Sequence, residues 1–303
     1  MLTKPKSSSS QAKSILIYER VQKLRFIAVH VATLVGVLYF GASAQSLALC
    51  VVLYFARMFG VTAGYHRYFS HRTFKTSRPF AFCLAFLAQS SAQKGVIWWA
   101  SNHRHHHRYS DRKKDLHSPA QHGLFQAHVG WIFKKEAEEQ RNNVKDLNSF
   151  WELRLLNKWP MLPATLLGIA VATLGGWEMF FSGFLLSTVL LFHGTFTINS
   201  LAHTWGKRRF KTKDTSRNNA FLALITLGEG WHNNHHYYMK SARQGFYWWE
   251  IDITYCILLM FKQTRLIWDV QEVPKEILQK GRNLDKQKAR KEEQSITSSS
   301  IGA

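Results

Sequence analysis

The chain has 303 residues, with 40 Lys and Arg against 19 Asp and Glu and a formal net charge of +21. Such an excess first suggests nucleic-acid binding, but the positive residues cluster beside apolar runs and accompany no nucleic-acid motif, so we expect no nucleic-acid partner. A basic face that lies on anionic lipid and docks acidic proteins explains the charge better. The cysteines are isolated in apolar surroundings, so neither a disulfide framework nor a thiolate metal site is indicated; they are Cys50, Cys83 and Cys256.

Two apolar blocks define the predicted topology. Each block is about 38 residues long, which exceeds one span of roughly 20 residues and suits a helical hairpin across the roughly 30 Å hydrocarbon core. The predicted spans are residues 26–41, 47–63, 160–175 and 177–198. The predicted fold class is therefore an all-α integral membrane protein with four transmembrane helices in two hairpins.

Lys and Arg placement predicts the orientation. The two hairpin turns carry neither residue, whereas the segments outside the hairpins are rich in both. Both termini and the central loop are therefore expected in the cytoplasm, in the inner membrane of a bacterium or the endoplasmic reticulum of a eukaryote. Residues 15–270 are expected to form one membrane domain, between disordered tails at 1–14 and 271–303.

Two further apolar stretches are interpreted as non-spanning. Phe80–Trp99 is long enough to cross a membrane, but Gln89, Gln93 and Lys94 lie in its middle, where polar groups are costly in hydrocarbon. We expect an in-plane or re-entrant helix there. The run Ile253–Phe261 is too short to span and is interpreted in the same way.

Nine histidines fall in four groups along the chain. Two of the groups are HxxHH triplets, and on a helix residues i, i+3 and i+4 share one face. Neutral imidazole suits transition metals, and an octahedral ion takes about six ligands, so this many donors implies two ions. A cytoplasmic helical cap holding a dinuclear site is predicted. The expected ligands are His66, His71, His103, His106, His107, His203, His232, His235 and His236.

Two details of spacing qualify this prediction. His66 and His71 are five residues apart, about 140° round an α-helix, and converge only if the helix ends or bends between them. His105 lies about 200° from His103 and is expected to point away. The other histidines are interpreted as ordinary hydrogen-bonded side chains, although His117 and His128 lie close enough to the second group to orient a ligand.

Three motifs resemble the histidine boxes of membrane acyl desaturases of the stearoyl-CoA Δ9 type. They are Gly64-Tyr65-His66-Arg67-Tyr68-Phe69-Ser70-His71-Arg72, His103-Arg104-His105-His106-His107, and Gly228-Glu229-Gly230-Trp231-His232-Asn233-Asn234-His235-His236. The resemblance implies two non-haem irons as cofactor, O2 as co-substrate, and a cis double bond placed in a saturated fatty acyl chain, at Δ9. It further implies that Asn199 is a water-mediated ligand and that His203 is the ninth histidine.

The same resemblance implies partners. Reduction of O2 to water needs four electrons, of which the C–H bonds supply two, and no ferredoxin-like cysteine set or haem module is found in the sequence. A separate donor, such as a ferredoxin or a cytochrome b5-like protein, is expected. The substrate is expected to be an acyl-CoA or an acyl-lipid. The acyl carrier stays open among CoA, phospholipid and carrier protein, because Ser101-Asn102 stands where animal relatives have an Arg-Asp pair near CoA.

The second span is expected to set the depth of an acyl tunnel. A helix rises about 1.5 Å per residue, so Tyr54, twelve residues before His66, lies roughly 18 Å deeper, and Cys50 lies about one turn beyond. Tyr54 is a candidate for the tunnel floor. The alternative interpretation is an aromatic side chain that packs against a neighbouring helix or lipid.

Two other functions remain open from the sequence. A membrane fatty-acid hydroxylase or an alkane monooxygenase would use the same ligands and insert oxygen instead. A histidine-rich metal transporter would also combine spans with histidines, but its ligands should lie within the spans near the midplane. Here the histidines lie beyond the ends of the predicted spans.

Overall fold

The computed structural model describes residues 8–139 and 141–301, with side chains from 12 to 295 apart from residue 140. Among these residues the fold is almost entirely helical. The strands there are β1 (Lys75–Thr76) and β2 (Ile267–Trp268), which pair antiparallel. The all-helical class expected from the sequence therefore describes this part of the chain.

Three helical segments in the described chain are long and apolar enough to cross a membrane. The first lies in α1 (Ser8–Phe40), and the second is α2 (Ala44–Phe59) with the π-helix Gly60–Ser70 that continues it. Apolar side chains of α1 stay exposed, Leu38 to 76%, which suits a helix surrounded by lipid. Helix α1 begins inside the segment 1–14 that was predicted as a disordered tail, of which residues 1–7 lie outside the described part.

The third segment, residues 162–203, is 42 residues long. A straight helix of that length would measure about 63 Å, twice the hydrocarbon thickness. The segment folds back instead at Gly176, whose φ of +76° and ψ of −173° are not helical. A Cβ on Gly168 would meet Phe184 at 2.9 Å, although sixteen residues of straight helix would separate them by about 24 Å. The elements are α9 (Leu162–Glu178), a π-helix (Met179–Leu185), α10 (Leu186–Ser200) and a 3₁₀ turn (Leu201–His203).

The stretch Phe80–Trp99 is not one helix. It divides into α3 (Arg78–Gln89) and α4 (Val96–Tyr109), and positive φ angles at Ala92 (59°) and Lys94 (67°) mark the break. The Gln89 side-chain amide donates to the Leu156 carbonyl at 2.9 Å, and the Gln93 side-chain amide donates to the Thr195 hydroxyl at 2.9 Å, so both amides have partners inside the protein. Helix α3, with 12 residues, is about 18 Å long and too short to span.

Short helices lie in the segments that connect these parts. The longest, α13 (Ile253–Gln263), is the apolar helix expected near residue 253, and its 11 residues are too few to span a membrane. The others are α5 (Pro119–His122), α6 (Leu124–His128), 3₁₀ turns at Gly130–Phe133 and Lys135–Glu138, α7 (Lys145–Asn148), α8 (Trp151–Lys158), α11 (Ala220–Ile225) and α12 (His232–Tyr237).

The main hydrophobic core packs α3 against the π-helix Gly60–Ser70. Ala63, Ala85 and Ala88 are fully buried there, and small side chains let the two backbones approach closely. At Gly60 the approach leaves no room for a side chain, because a Cβ would lie 2.7 Å from the Ala88 nitrogen. This packing fixes the helix that carries the first two histidines.

A buried arginine joins three elements near the membrane-spanning core. Arg57 of α2 is 1% exposed and donates to the Thr188 hydroxyl at 2.7 Å, the Ser187 hydroxyl at 2.5 Å and the Ser90 carbonyl at 3.4 Å. Neutral oxygens therefore satisfy a charge that would be costly in hydrocarbon. The contacts hold the end of α3 against α2 and α10.

The C-terminal segment differs from the sequence prediction. Residues 271–303 were expected to be a disordered tail, but α14 (Lys275–Ile301) is helical. Ile277, Leu278 and Leu284 cover a buried cluster that includes Phe210 and Phe246. The high content of charged residues suggested disorder, whereas burial of these apolar side chains provides a reason for the first turns to dock.

Candidate metal centre

A π-helix brings the first two histidines together. The His71 amide donates to the His66 carbonyl at 3.1 Å, the spacing of five residues that defines π winding. The two rings lie with their centroids 4.7 Å apart. The helix ends at Ser70, between the two histidines as their spacing required, but the sequence did not indicate the π winding that aligns them.

Helix α4 divides its histidines between two sites. His103 and His107 face His71, with ring centroids 4.9 and 4.6 Å away. His106 faces the other side, 5.3 Å from the His236 ring. His105 points elsewhere, with Nε2 2.9 Å from the Lys114 carbonyl, as its helical position predicted.

Helix α12 divides its histidines in the same way. His235 faces His66, whereas His232 and His236 face His203. The backbone reaches α12 through Gly228, whose φ of +120° disfavours any other residue, and a Cβ there would meet an Asp252 oxygen at 2.4 Å. The tight approach explains the glycine in this motif.

The nine histidines therefore form two clusters rather than one. Within each cluster one ring nitrogen of every member lies within 4.8 Å of the others. We call them the five-histidine cluster, which contains His66, His71, His103, His107 and His235, and the four-histidine cluster, which contains His106, His203, His232 and His236.

The geometry fits two octahedral transition-metal ions. Metal–nitrogen bonds of about 2.1 Å place neighbouring ligands of an octahedral ion about 3.0 Å apart. The Nε2 atoms of His66 and His235 are 3.1 Å apart, those of His71 and His103 are 2.8 Å apart, and those of His203 and His232 are 3.1 Å apart. His236 Nε2 is buried without a hydrogen-bond partner in the described chain, as an atom reserved for a metal would be.

Carboxylates lie behind four of the nine imidazoles. Each accepts a hydrogen bond from Nδ1, which fixes the tautomer and leaves the lone pair of Nε2 free for a metal. The pairs are His66 with Glu229 at 2.6 Å, His106 with Asp115 at 2.9 Å, His203 with Asp111 at 3.2 Å and His236 with Asp214 at 3.0 Å.

These four acidic residues were missed in the sequence. Two of them offered a signal, because Glu229 lies inside the third histidine motif and Asp111 follows the second motif by four residues. Asp214 offered none, since it reaches His236 from a separate loop. Gln244 was also missed, and its side-chain amide lies 2.7 Å from Glu229 Oε2.

The electrostatics favour the neutral form of most of the candidate ligands and the ionised form of the four carboxylates. His106 differs, because burial lowers its pKa but the Asp115 carboxylate outweighs burial and raises it. Burial lowers the pKa of His71, His103 and His235 well below the ordinary value, and neighbouring imidazoles lower it further. Neutral imidazole is the form that binds a metal. Although burial alone would raise it, the pKa of Asp115 is lowered because His106 and His117 lie beside it. Neutral imidazoles backed by ionised carboxylates favour the binding of cations near neutral pH.

A cavity of about 440 Å³ reaches the five-histidine cluster. Its walls include Phe26 of α1, Phe196 of α10 and the rings of Trp98 and Trp131. His103, His117 and Asn199 also line this cavity. Asn199, expected as a water-mediated ligand, is thus on the cavity wall, and its role as a ligand stays a prediction.

The two predicted tunnel residues lie elsewhere. Among the described residues that line this cavity, neither Cys50 nor Tyr54 is found. The Tyr54 hydroxyl donates to the Ile225 carbonyl at 2.8 Å, and a Cβ on Gly194 would meet that hydroxyl at 2.4 Å. Tyr54 thus packs against a neighbouring helix, which was the alternative interpretation, and its place in a tunnel is not tested by these contacts.

Three of the remaining histidines form a hydrogen-bonded chain that the sequence did not indicate. His193 lies between the other two, with Nε2 3.1 Å from His30 and Nδ1 3.0 Å from His128. His128 continues the chain to the Ser200 hydroxyl at 2.9 Å. The chain ties α1 and α6 to α10, and His117 separately stacks on His106 at 4.3 Å.

Comparison with known proteins identifies relatives along most of the chain. The sequence profile described as "Fatty acid desaturase" matches residues 42–258. Delta-9 acyl-lipid desaturase 2 of Arabidopsis thaliana is 38% identical over 266 residues, which cover 86% of this chain and 85% of that protein. Icosanoyl-CoA 5-desaturase of Limnanthes douglasii is 35% identical over 250 residues, with 81% and 70% covered.

A chloroplastic relative differs again in its substrate. Palmitoyl-monogalactosyldiacylglycerol delta-7 desaturase of Arabidopsis thaliana is 33% identical over 249 residues, which cover 81% of this chain and 67% of that protein. The names of these relatives share desaturation of an acyl group. They differ in the position of the double bond and in the acyl carrier.

Proposed function

Because the chain belongs to the fatty acid desaturase family, we propose that it places a cis double bond at Δ9 of a saturated fatty acyl chain, using O2 at a di-iron centre. The observation that carries this proposal is the pair of histidine clusters beside an apolar cavity. Nine imidazoles, six of them buried and three half-buried, stand in sets of five and four that match the ligand needs of two ions, and a molecule in the cavity would lie against His103. The acyl donor is an acyl-CoA or an acyl-lipid.

The overall reaction determines how many electrons and protons must reach the site. A saturated pair of methylenes, O2, two electrons and two protons give one double bond and two waters, so the substrate supplies two electrons and an external donor supplies the other two. When bound, the two irons supply the activation of O2. We propose Asn199, which lines the cavity, as a ligand that acts through water.

The protein's own residues position the acyl chain and exclude water. The cavity volume lies within the range of about 300–1,000 Å³ typical of ligand sites. The aromatic walls from Phe26, Trp131 and Phe196 would bury methylenes, at about 0.8 kcal/mol each. Arg25 and Lys94 line the same cavity and provide positive charge for the polar end of the substrate.

We propose a four-span topology with both termini in the cytoplasm. The reversal at Gly176 supports it, because the 42-residue segment then supplies two antiparallel helices in place of one. The absence of Lys and Arg from both predicted hairpin turns supports the orientation. Both histidine clusters would then lie on the cytoplasmic side, where an electron donor can reach them.

The function is tested with purified protein in lipid. Saturated palmitoyl and stearoyl substrates, as CoA esters and as phospholipids, are supplied with O2 and a reductant, and the products are analysed by mass spectrometry. A product that has lost two hydrogens, with the double bond at carbon nine, is expected. A product that has gained one oxygen would make the enzyme a hydroxylase, and no conversion of any substrate would contradict the proposal.

The cavity predicts a change in chain-length preference. Val29 of α1 lines the cavity, so Val29→Phe should fill part of it and disfavour stearoyl relative to palmitoyl substrates. Loss of one buried methylene costs about 0.8 kcal/mol, or roughly a fourfold change in preference. Competing the two substrates in one reaction measures the ratio.

Tyr54→Ala tests the alternative location of the acyl chain, along α2. If the 440 Å³ cavity holds the acyl chain, this substitution should leave the ratio unchanged, since Tyr54 does not line it. A shift towards longer substrates in Tyr54→Ala, with no shift in Val29→Phe, would place the chain along α2 instead, as the sequence suggested.

A further inference from the structure

Two loops cover the four-histidine cluster and are bound to each other. The first, residues 110–118, follows α4, and the second, residues 204–217, follows the 3₁₀ turn that ends at His203. Asp111 of the first loop accepts hydrogen bonds from the backbone amide of Thr215 at 2.6 Å and from its hydroxyl at 2.7 Å. We call these segments the paired loops.

The exposed charge of the paired loops is positive. Their three acidic residues, Asp111, Asp115 and Asp214, each face a histidine from within the protein. Seven of the nine basic residues in these loops are instead exposed. The exposed ones are Arg112, Lys113, Lys114, Lys207, Arg208, Lys211 and Lys213. The outer face of the paired loops is therefore a concentrated positive surface.

This surface is close to the candidate ligands. Asp111 accepts a hydrogen bond from His203, and the next three residues along the loop are basic and exposed. Asp214 accepts one from His236, and Lys213 precedes it directly. One aspartate side chain, one hydrogen bond and one imidazole therefore separate the backbone of each basic loop from the proposed position of the metal.

The five-histidine cluster faces a different environment. His103 opens onto the apolar cavity, which we propose holds the acyl chain. The four-histidine cluster, in contrast, is flanked by the paired loops through Asp111 and Asp214. The paired loops thus have an inner side, where His117 lines the cavity and stacks on His106, and an exposed basic side suited to a charged partner.

We propose that the paired loops, beside the four-histidine cluster, are the docking surface for an acidic one-electron carrier protein. The inference rests on the proposed function, which requires two external electrons per double bond. Two successive one-electron carriers deliver them, and each carrier is oxidised by one electron. Charge complementarity steers such encounters and raises the association rate, an effect that salt screens.

The test reverses three charges that touch no candidate ligand. Lys113→Glu, Lys211→Glu and Lys213→Glu are combined, and a plant-type ferredoxin with its reductase serves as the donor probe. The KM for ferredoxin should rise roughly tenfold or more at low salt, with kcat at saturating ferredoxin retained. Wild-type turnover should fall as salt rises at limiting ferredoxin, and the variant should lose most of that dependence.

A matched control changes the net charge by the same amount at three lysines outside the paired loops. Lys13, Lys145 and Lys158 are exposed on α1, α7 and α8, and their combined change to Glu should leave the KM for ferredoxin within about twofold of wild type. An equal rise in KM in the control would show that overall charge matters rather than the paired loops. That result would overturn the proposal.

Reduction by dithionite separates this inference from the proposed function. In a single turnover without ferredoxin, wild type and the triple variant should form equal amounts of desaturated product. No product from wild type under either reductant would refute the function itself. Product from wild type, together with an unchanged KM in the triple variant, would refute only the docking surface.

A milder variant guards against loss of folding. If the triple Glu variant loses iron, the triple Gln variant at the same positions tests docking instead. It removes the three positive charges without adding negative charges that would repel an acidic carrier. Its KM for ferredoxin should lie between those of wild type and the Glu variant. A wild-type KM in the Gln variant would refute docking at the paired loops.

The same surface could instead bind anionic lipid. A KM for ferredoxin that depends on the anionic lipid content of the bilayer would assign the surface to the membrane and also overturn the proposal.

Discussion

His235→Ala is expected to abolish turnover and to lower the iron content. His235 Nε2 lies 3.1 Å from His66 Nε2 and 3.0 Å from His107 Nε2, so the substitution removes a nitrogen at the centre of the five-histidine cluster. The loss of activity should exceed the roughly 10–100-fold effect that is typical when only an outer partner of a ligand is removed. Iron per chain and product formation are measured on the same preparation. His106→Ala should behave alike.

His105→Ala is the matched control for this prediction. It removes an imidazole from the same helix as His106, but its Nε2 contacts the Lys114 carbonyl at 2.9 Å and no candidate ligand. Iron content and turnover should therefore stay close to wild type. Equal damage from His105→Ala would contradict the division of α4 into ligand and non-ligand faces.

Asp214→Asn is expected to weaken metal binding about 10–100-fold. The carboxylate accepts the hydrogen bond from His236 Nδ1 at 3.0 Å, while its other oxygen accepts from the Ser216 amide at 3.0 Å. An Asn that keeps the Ser216 contact presents its amide donor to His236. The ring must then carry its proton on Nε2, the atom that would bind the metal. Iron affinity is measured by chelator competition.

Asp285→Asn supplies the control for the same chemical change. Asp285 pairs with Arg209 at 2.9 Å and its side chain is 44% exposed, so its carboxylate is part of a surface ion pair. Surface ion pairs contribute little to the free energy of unfolding, about 0–1 kcal/mol. Iron affinity should be unchanged, and an equal loss in Asp285→Asn would show that Asp214 acts through general stability instead of through His236.

Local spacing was the part of the site that the sequence could predict. The i, i+3, i+4 triplets identified His103, His106 and His107 because helical periodicity depends only on neighbouring residues. The structure confirms that they lie among clustered histidines. Their division between two clusters was not predictable, since it depends on the direction from which α12 and the 3₁₀ turn at His203 approach.

Other features depend on packing between distant segments. The π-helix Gly60–Ser70 packs closely against α3, a segment distant from His66 and His71 along the chain, and no propensity rule marks a π-helix in a sequence. The chain of His30, His193 and His128 joins residues up to 163 positions apart, so no spacing pattern reveals it. In the same way, the depth estimate for Tyr54 gave its height along α2 but not the side of the helix that it faces.

The iron dependence of product formation tests the central claim most directly. Metal-free protein is titrated with Fe²⁺, reduced by dithionite, supplied with a saturated acyl substrate and exposed to O2 for a single turnover. Because the nine histidines form clusters of five and four, product per chain should rise to a plateau at two irons per chain, and Zn²⁺ should not replace iron. A plateau at one iron per chain, or equal product without iron, would contradict desaturation at a di-iron centre.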